Sequence, residues 1–321
     1  MARKFIIDTD TASDDAVALI MALRWKDVEV EAITVVAGNV PVDQGARNAL
    51  YSAQLCGSNV PVYKGAAQPL LREYVSAEWF HGQDGLGDQN YPAPKRQPET
   101  KHAVDALIDT IRANPGIALV TLGPLTNVAL AVARSPEIVA NVSRCVVMGG
   151  AACTVGNVTP AAEYNIWVDP DAARMVFHSG LPIEMVGWEH CRGKYALNDE
   201  EIAHVRSFGS ELANFAIECN LVAIESFYRQ SGEQVLALPD PVTMSIALDP
   251  TIATRVSKHY VDIEVHSDLT RGMTVVDQLG VAKDERNREI WGQLVSKAPN
   301  AVVVWEVDEK RWKEALYSVL K

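Results

Sequence analysis

Between residues 5 and 186, short runs of apolar, often β-branched residues alternate with segments whose apolar positions recur at helical spacing. Strands are expected at Phe5–Ile7, Val28–Val36, Val60–Tyr63, Ile117–Thr121, Cys145–Met148 and Ile183–Val186. Helices are expected through Ala16–Leu23 and at Arg47–Cys56, Ala103–Arg112, Leu125–Ala133 and Asp171–Ser179. Strands that are apolar on both faces and separated by helices can be buried only in an α/β fold. The architecture implied is an open, mostly parallel, doubly wound sheet with helices on both faces. No repeat, low-complexity stretch or linker divides the chain, so one domain over residues 1–321 is expected. The polar, Pro-rich stretch 89–101 reads as a loop inside it.

On the first strand-to-helix turn of this pattern stand four aspartates within eight residues, Asp8, Asp10, Asp14 and Asp15. In an open α/β sheet such turns are where ligands bind. Two unit charges ~4 Å apart repel by roughly 4 kcal/mol at an effective dielectric of 20, so a compensating cation is expected. Asp14 and Asp15 also suit the start of a helix, whose unpaired N–H groups favour carboxylates. Asp8 and Asp10 have no such excuse. The ligand atoms are hard oxygens, with no nearby cysteine or histidine pair, which points to calcium or magnesium rather than zinc. Several protein carboxylates converging on one ion favour calcium (Ca2+).

The net charge of -12 argues against a nucleic-acid partner. No apolar run approaches the ~20 residues of a membrane helix, so no membrane association is expected. The chain enters its first strand almost at once, without an apolar leader. Its five cysteines, Cys56, Cys145, Cys153, Cys191 and Cys219, are scattered without a CxxC. A cytoplasmic protein with reduced thiols fits both features.

The later strands also end in polar or glycine-rich turns: Ala37-Gly38-Asn39, then Gly123-Pro124-Leu125-Thr126-Asn127, then Gly149-Gly150 followed by Asn157, Glu163 and Asn165. Doubly wound topology brings these turns to one sheet edge, where amides and carboxylates can grip a polyhydroxylated ligand. Asn127 reads as a helix-start residue, and capping competes with binding for Asn157, Glu163 and Asn165. Asp240 reads as an N-cap ahead of Pro241. The stretch from His81 to Gly87 has the glycines of a lid but lacks the Lys-Ser/Thr of a phosphate loop. There is no Gly-x-Ser-x-Gly elbow.

Taken together, these residues resemble the inosine-uridine preferring nucleoside hydrolase family, which cleaves ribonucleosides to ribose and free base. The most specific element is Asp8-Thr-Asp10-x-x-x-Asp14-Asp15-Ala16, close to the family's Asp-x-Asp-Pro-Gly-x-Asp-Asp signature, with Thr11-Ala12 where Pro-Gly is usual. The likeness runs to about Leu248, with a weaker echo at Leu269–Asp277. It implies a Rossmann-like nucleoside hydrolase fold and a role in purine and pyrimidine salvage or nucleoside catabolism. It implies a calcium held by Asp10, Asp15, Asp240 and the backbone carbonyl of Thr126, with Asp10 as general base. Asp14 and Asn165 would hold the ribose 2′- and 3′-hydroxyls. Asn157 and Glu163 would take the 5′ side, and Asn39 a further sugar contact. Relatives are commonly dimers or tetramers, so a homodimer or homotetramer is implied, with a small ribonucleoside as the partner.

The chemistry suits such residues. Breaking an N-glycosidic bond builds positive charge on the ribose, which a carboxylate-rich pocket stabilises. One branch of the family carries a histidine before the last aspartate to protonate the departing base, and another carries tryptophan. Here Pro239 stands there and donates nothing. His81, Tyr228 and His190 are left as candidates, the first two being the nearer to the expected substrate site. Two other readings compete: a magnesium-dependent phosphohydrolase of the haloacid dehalogenase type and a non-catalytic nucleoside or ribose binder. Against the first, Ala12 replaces the Thr/Val that follows its acidic pair, and no downstream acidic pair appears. Against the second, a metal set is unnecessary for binding alone.

Overall fold

The structure is a computed structural model that describes residues 2–287 and 298–321. Its central sheet is built from β1 (Arg3–Thr9), β2 (Val28–Val35), β3 (Val62–Lys64), β4 (Ile117–Thr121), β5 (Val142–Met148), β6 (Ile183–Val186), β7 (Ala253–His259) and β10 (Ala301–Val307). The order across the sheet is β3-β2-β1-β4-β5-β6-β10-β7. All neighbours pair in parallel except β10 and β7, which run antiparallel at one edge. The sheet is therefore open and mostly parallel, as the alternation of segments implied. A small hairpin of β8 (Val261–Ile263) and β9 (Thr274–Val276) forms a separate two-stranded sheet, and its second strand falls within the stretch 269–277.

Helices cover both faces because both faces of the central strands are apolar. On one side α1 (Ser13–Arg24), α2 (Val42–Leu55) and α11 (Pro239–Leu248) pack over Phe5, Ile7, Ile33 and Val120. On the other, α4 (Ala103–Ala113), α5 (Thr126–Arg134) and α7 (Pro170–Phe177) pack over Ile6, Leu119 and Val147. The strand order reverses between β1 and β4, so a crevice opens beyond their carboxyl ends. The first aspartate turn and the Gly123 turn lie at that point.

Two expectations change. The stretch from His81 to Gly87 is a packed turn: Leu86 is buried, and the Asp84 carbonyl accepts from Gln44 and Asn48 at 3.1 and 2.9 Å. Asp240 is not an N-cap, because α11 begins at Pro239 with Leu238 before it, which leaves Asp240 inside the first turn. The stretch 89–101 runs as an irregular segment, touching the sheet at one bridge from Glu99 to Tyr63. Among the described residues, no helix is long and apolar enough to cross a membrane.

Candidate active site

The four early aspartates do not form a single cluster. Asp8 lies within β1, and its carboxylate meets Thr34 Oγ1 at 2.5 Å and Asn127 Nδ2 at 2.9 Å. Asn127 in turn accepts from the Ala66 N–H at 2.9 Å, so it braces strand ends instead of capping α5. Past the end of β1 the chain turns, and Asp10 stands between two glycines. A Cβ on Gly38 would lie 2.1 Å from Asp10 Oδ2, and one on Gly123 would lie 2.8 Å from Oδ1. Only glycine lets both turns close on this carboxylate. Asp10 Oδ2 accepts the Asn39 N–H at 2.5 Å, while Oδ1 is buried without a partner among the described residues.

Asp14 and Asp15 open α1. Asp15 accepts from Thr9 Oγ1 at 2.5 Å and from the Ala12 N–H at 2.9 Å, which ties it to the turn. Asp14 Oδ1, like Asp10 Oδ1, has no hydrogen-bond partner among the described residues. From the other side, the first turn of α11 delivers Asp240. Asp14, Asp15 and Asp240 present oxygens that all lie within 4.8 Å of one another, and all three are buried. Burial, reinforced for Asp15 by its neighbour Asp14, pushes Asp14 and Asp15 up to about 6. Burial, then the charges of Asp15 and Asp14, holds Asp10 and Asp240 well above the ordinary carboxylate range. The group demands a positive charge. With only hard oxygens, two of them unpartnered, it suits a hard divalent cation. Thr126 heads α5, three residues after the glycine that abuts Asp10, and its hydroxyl is spent on Asp169 at 2.7 Å.

Above the carboxylates opens a cleft of about 780 Å³, its mouth included. Asp14, Asn39, Asn157, Glu163, Asn165 and Asp240 all line it, and among the described residues no lysine or arginine does. Asn165 donates to the Leu122 carbonyl at 2.8 Å, and its buried Oδ1 is left free to accept. Asn157 Oδ1 accepts the Tyr164 N–H at 2.9 Å. Glu163 caps α6 (Tyr164–Val168), accepting from Asn165, Gly150 and Ile166, and burial raises its carboxyl to about 7. Capping and cleft lining are thus combined in one side chain.

The three leaving-group candidates part company. His81 ends α3 (Glu78–His81), lines the cleft, and meets Ser13 Oγ through Nδ1 at 2.9 Å. Burial lowers its pKa to about 4, so the ring is neutral near pH 7. Tyr228 is 53% exposed on α10 (Leu221–Ser231) and is not among the residues that line the cleft. Its neighbour Phe227 is, with Ala223 and Gln230. His190 is buried away from the cleft, bonded to the Val304 carbonyl at 3.0 Å. Sequence reasoning passed over the apolar wall made by Trp79, Phe80, Trp188 and Phe227. The Trp79-Phe80 pair directly before His81 was its one visible sign.

Comparison with known proteins decides the reading of this site. Residues 5–314 match the inosine-uridine preferring nucleoside hydrolase family. The chain belongs to that family. It is 38% identical over 325 residues to the pyrimidine-specific ribonucleoside hydrolase RihA of Shewanella sp. strain MR-7, covering 100% of this chain and 96% of the relative. To the protein of the same name from Salmonella schwarzengrund it is 36% identical over 325 residues, covering 100% and 99%. Among solved structures, a plant nucleoside hydrolase, the PpNRh1 enzyme, superposes with a TM-score of 0.89 at 29% identity, covering 100% of this chain and 99% of that one. A purine-preferring ribonucleoside hydrolase from Gardnerella vaginalis gives 0.87 at 29%, covering 99% and 98%. This nucleoside hydrolase is therefore a glycosidase that acts on N-glycosyl bonds, with a ribonucleoside as substrate class. The haloacid dehalogenase reading falls away.

Proposed function

We propose that the enzyme hydrolyses ribonucleosides to ribose and free base with calcium in its acidic cluster, and that Asp10 is the general base. The observation that carries this reading is the convergence of buried carboxylates under a cleft that, among the described residues, no lysine or arginine lines. Asp10, Asp15, Asp240 and the Thr126 carbonyl would hold the ion. When bound, it supplies the charge that neutralises these carboxylates and lowers the pKa of the attacking water.

The remaining steps belong to the side chains. Asp10, fixed through Oδ2 by Asn39 N–H, keeps Oδ1 free to take the water's proton. Asp14 Oδ1 and Asn165 Oδ1, both unpartnered, are free to accept from the ribose 2′- and 3′-hydroxyls. Asn157 and Glu163 lie toward the 5′-hydroxyl, with Asn39 a further contact. Gripping the hydroxyls fixes C1′ relative to the water. Negative charge around the sugar stabilises the oxocarbenium-like state as the C1′–N bond stretches. The apolar wall of Trp79, Phe80 and Phe227 takes the planar base.

A cytoplasmic site of action in nucleoside catabolism or salvage agrees with the five unbridged cysteines. A homodimer or homotetramer rests on resemblance alone. The test is ribose release from uridine, cytidine, inosine, adenosine and guanosine with calcium added. Release from any of the five supports the reading. A folded, calcium-binding enzyme that releases none overturns the substrate assignment and favours a binder.

A further inference from the structure

We propose that Ser13 is a positioning residue that holds His81 in the tautomer whose Nε2–H faces the cleft, where it hydrogen-bonds the departing base. The inference rests on the reading above, in which Asp14 holds the 2′-hydroxyl. His81 Nδ1 lies 3.8 Å from Asp14 Oδ1, so the ring stands beside C2′ and hence next to the glycosidic bond at C1′.

The tautomer follows from hydrogen-bond accounting. Ser13 is fully buried at the first position of α1, and Nδ1 of His81 lies 2.9 Å from its Oγ. Among the described residues His81 Nδ1 is the only hydrogen-bond partner of Ser13 Oγ, so the hydroxyl has no other acceptor to turn to. If Nδ1 carried the ring proton and donated to Oγ, the buried O–H would itself lack an acceptor, which is costly. If Ser13 donates to Nδ1, both groups are satisfied and the ring proton sits on Nε2. Nε2 has no partner among the described residues, yet it is not sealed off as His190 Nδ1 is, so it opens on the cleft that His81 lines.

Two other donors that line the cleft are already committed. Trp188 Nε1 is committed to the Val155 carbonyl at 2.7 Å, and Asn220 Nδ2 to the Ala216 carbonyl at 2.9 Å. Pro239 has no donor at all. As the C1′–N bond breaks, its electron pair leaves with the base. The Nε2–H bond stabilises the resulting anion; water at the cleft mouth supplies the proton that neutralises it, and the hydroxide left behind takes the proton that Asp10 later releases. The attacking water places its oxygen on C1′ and gives its proton to Asp10. Histidine stays neutral throughout.

Two readouts test this. In calcium-loaded enzyme without substrate, imidazole ¹⁵N correlation spectra, with His81 assigned by its loss in His81→Gln, should show the Nε2–H pattern. Ser13→Ala should convert it to a mixture or to Nδ1–H. In the second, ribose release is compared between uridine or inosine and p-nitrophenyl β-ribofuranoside, whose leaving group needs no assistance. Ser13→Ala should lower kcat/KM on the nucleoside about tenfold more than on the aryl riboside. His81→Gln, which places an N–H near Nε2, should outperform His81→Asn on the nucleoside. An Nδ1–H pattern in the wild type, or equal losses on both substrates, overturns the inference. Wild-type enzyme inactive on both substrates overturns the functional reading and the base contact with it, whatever the tautomer.

Discussion

Replacing Asp240 by asparagine should make the metal-free enzyme more stable while it destroys the response to calcium. Asp14, Asp15 and Asp240 hold oxygens within 4.8 Å of one another, so each ionised pair repels by about 3 kcal/mol or more at an effective dielectric of 20. Asp240 takes part in two of the three pairs. The upward shifts of all three carboxyls mean that the metal-free fold already relieves part of this by holding protons. A net gain of about 1–3 kcal/mol is therefore expected from Asp240→Asn. Asparagine keeps an N–H to donate to Asp15. Unfolding entropy of about 2.1 cal/mol/K per residue converts that gain to a Tm roughly 2–4 °C higher in EGTA.

Calcium reverses the ranking. An ion at about 100 times its Kd stabilises the fold by about 2.7 kcal/mol, near 4 °C for a chain of this size. Wild type should show that rise, and Asp240→Asn should show little of it. Thermal melts of both proteins in EGTA and in calcium give the four values needed. A variant that melts below wild type in EGTA, or that keeps the full calcium rise, refutes the argument from crowded charge.

Asp10→Asn should reduce kcat by about 10²–10⁴-fold, the span of a lost general base, with the circular dichroism spectrum unchanged. Near-normal turnover would remove Asp10 from the chemistry. Gly38→Ala places a methyl group 2.1 Å from Asp10 Oδ2 and 2.7 Å from Pro124 Cδ. Overpacking costs typically about 1–3 kcal/mol, and a base moved by about 1 Å can lose 10²-fold in rate. Melting and ribose release should therefore fall together, and loss of neither would mean that the turn is not tight.

Where a segment is apolar on both faces, sequence alone located it well. Strands expected at Ile117–Thr121 and Ile183–Val186 have those bounds in the structure. The helix expected at Arg47–Cys56 starts earlier, at Val42, where Pro41 and Gly45 weaken the helical pattern. Gly45 is helical because it packs close: its Cβ would lie 3.0 Å from Val35 and 3.1 Å from the Asp10 carbonyl oxygen. The edge strand β7 carries Arg255 and Lys258 and is largely exposed, so it has no buried-strand signature. At the site, residue type pointed to the carboxylates and amides, but not to their directions. Asp8 and Asp10 share a motif yet serve a brace and a site. Tyr228 and Phe227 are one helical step apart, enough to send one to solvent and the other to the cleft.

The turn that carries the cluster departs from its family's signature, and the structure explains why the acidic positions survive the change. Proline and glycine restrict or relax the backbone; Thr11 and Ala12 do neither. Neither residue has a positive φ, so glycine's freedom is not required here. Order comes instead from side chains. Thr9 Oγ1 accepts the Thr11 N–H at 3.1 Å and donates to Asp15 at 2.5 Å, while Asn48 Nδ2 holds the Thr11 carbonyl at 2.9 Å. Asp15 closes the loop by accepting the Ala12 N–H. Every one of these groups is buried, so the hydrogen bonds cannot be exchanged for water without a penalty. The hydroxyl on Thr9 thus joins the shape of the turn to the orientation of a carboxylate that would hold the ion.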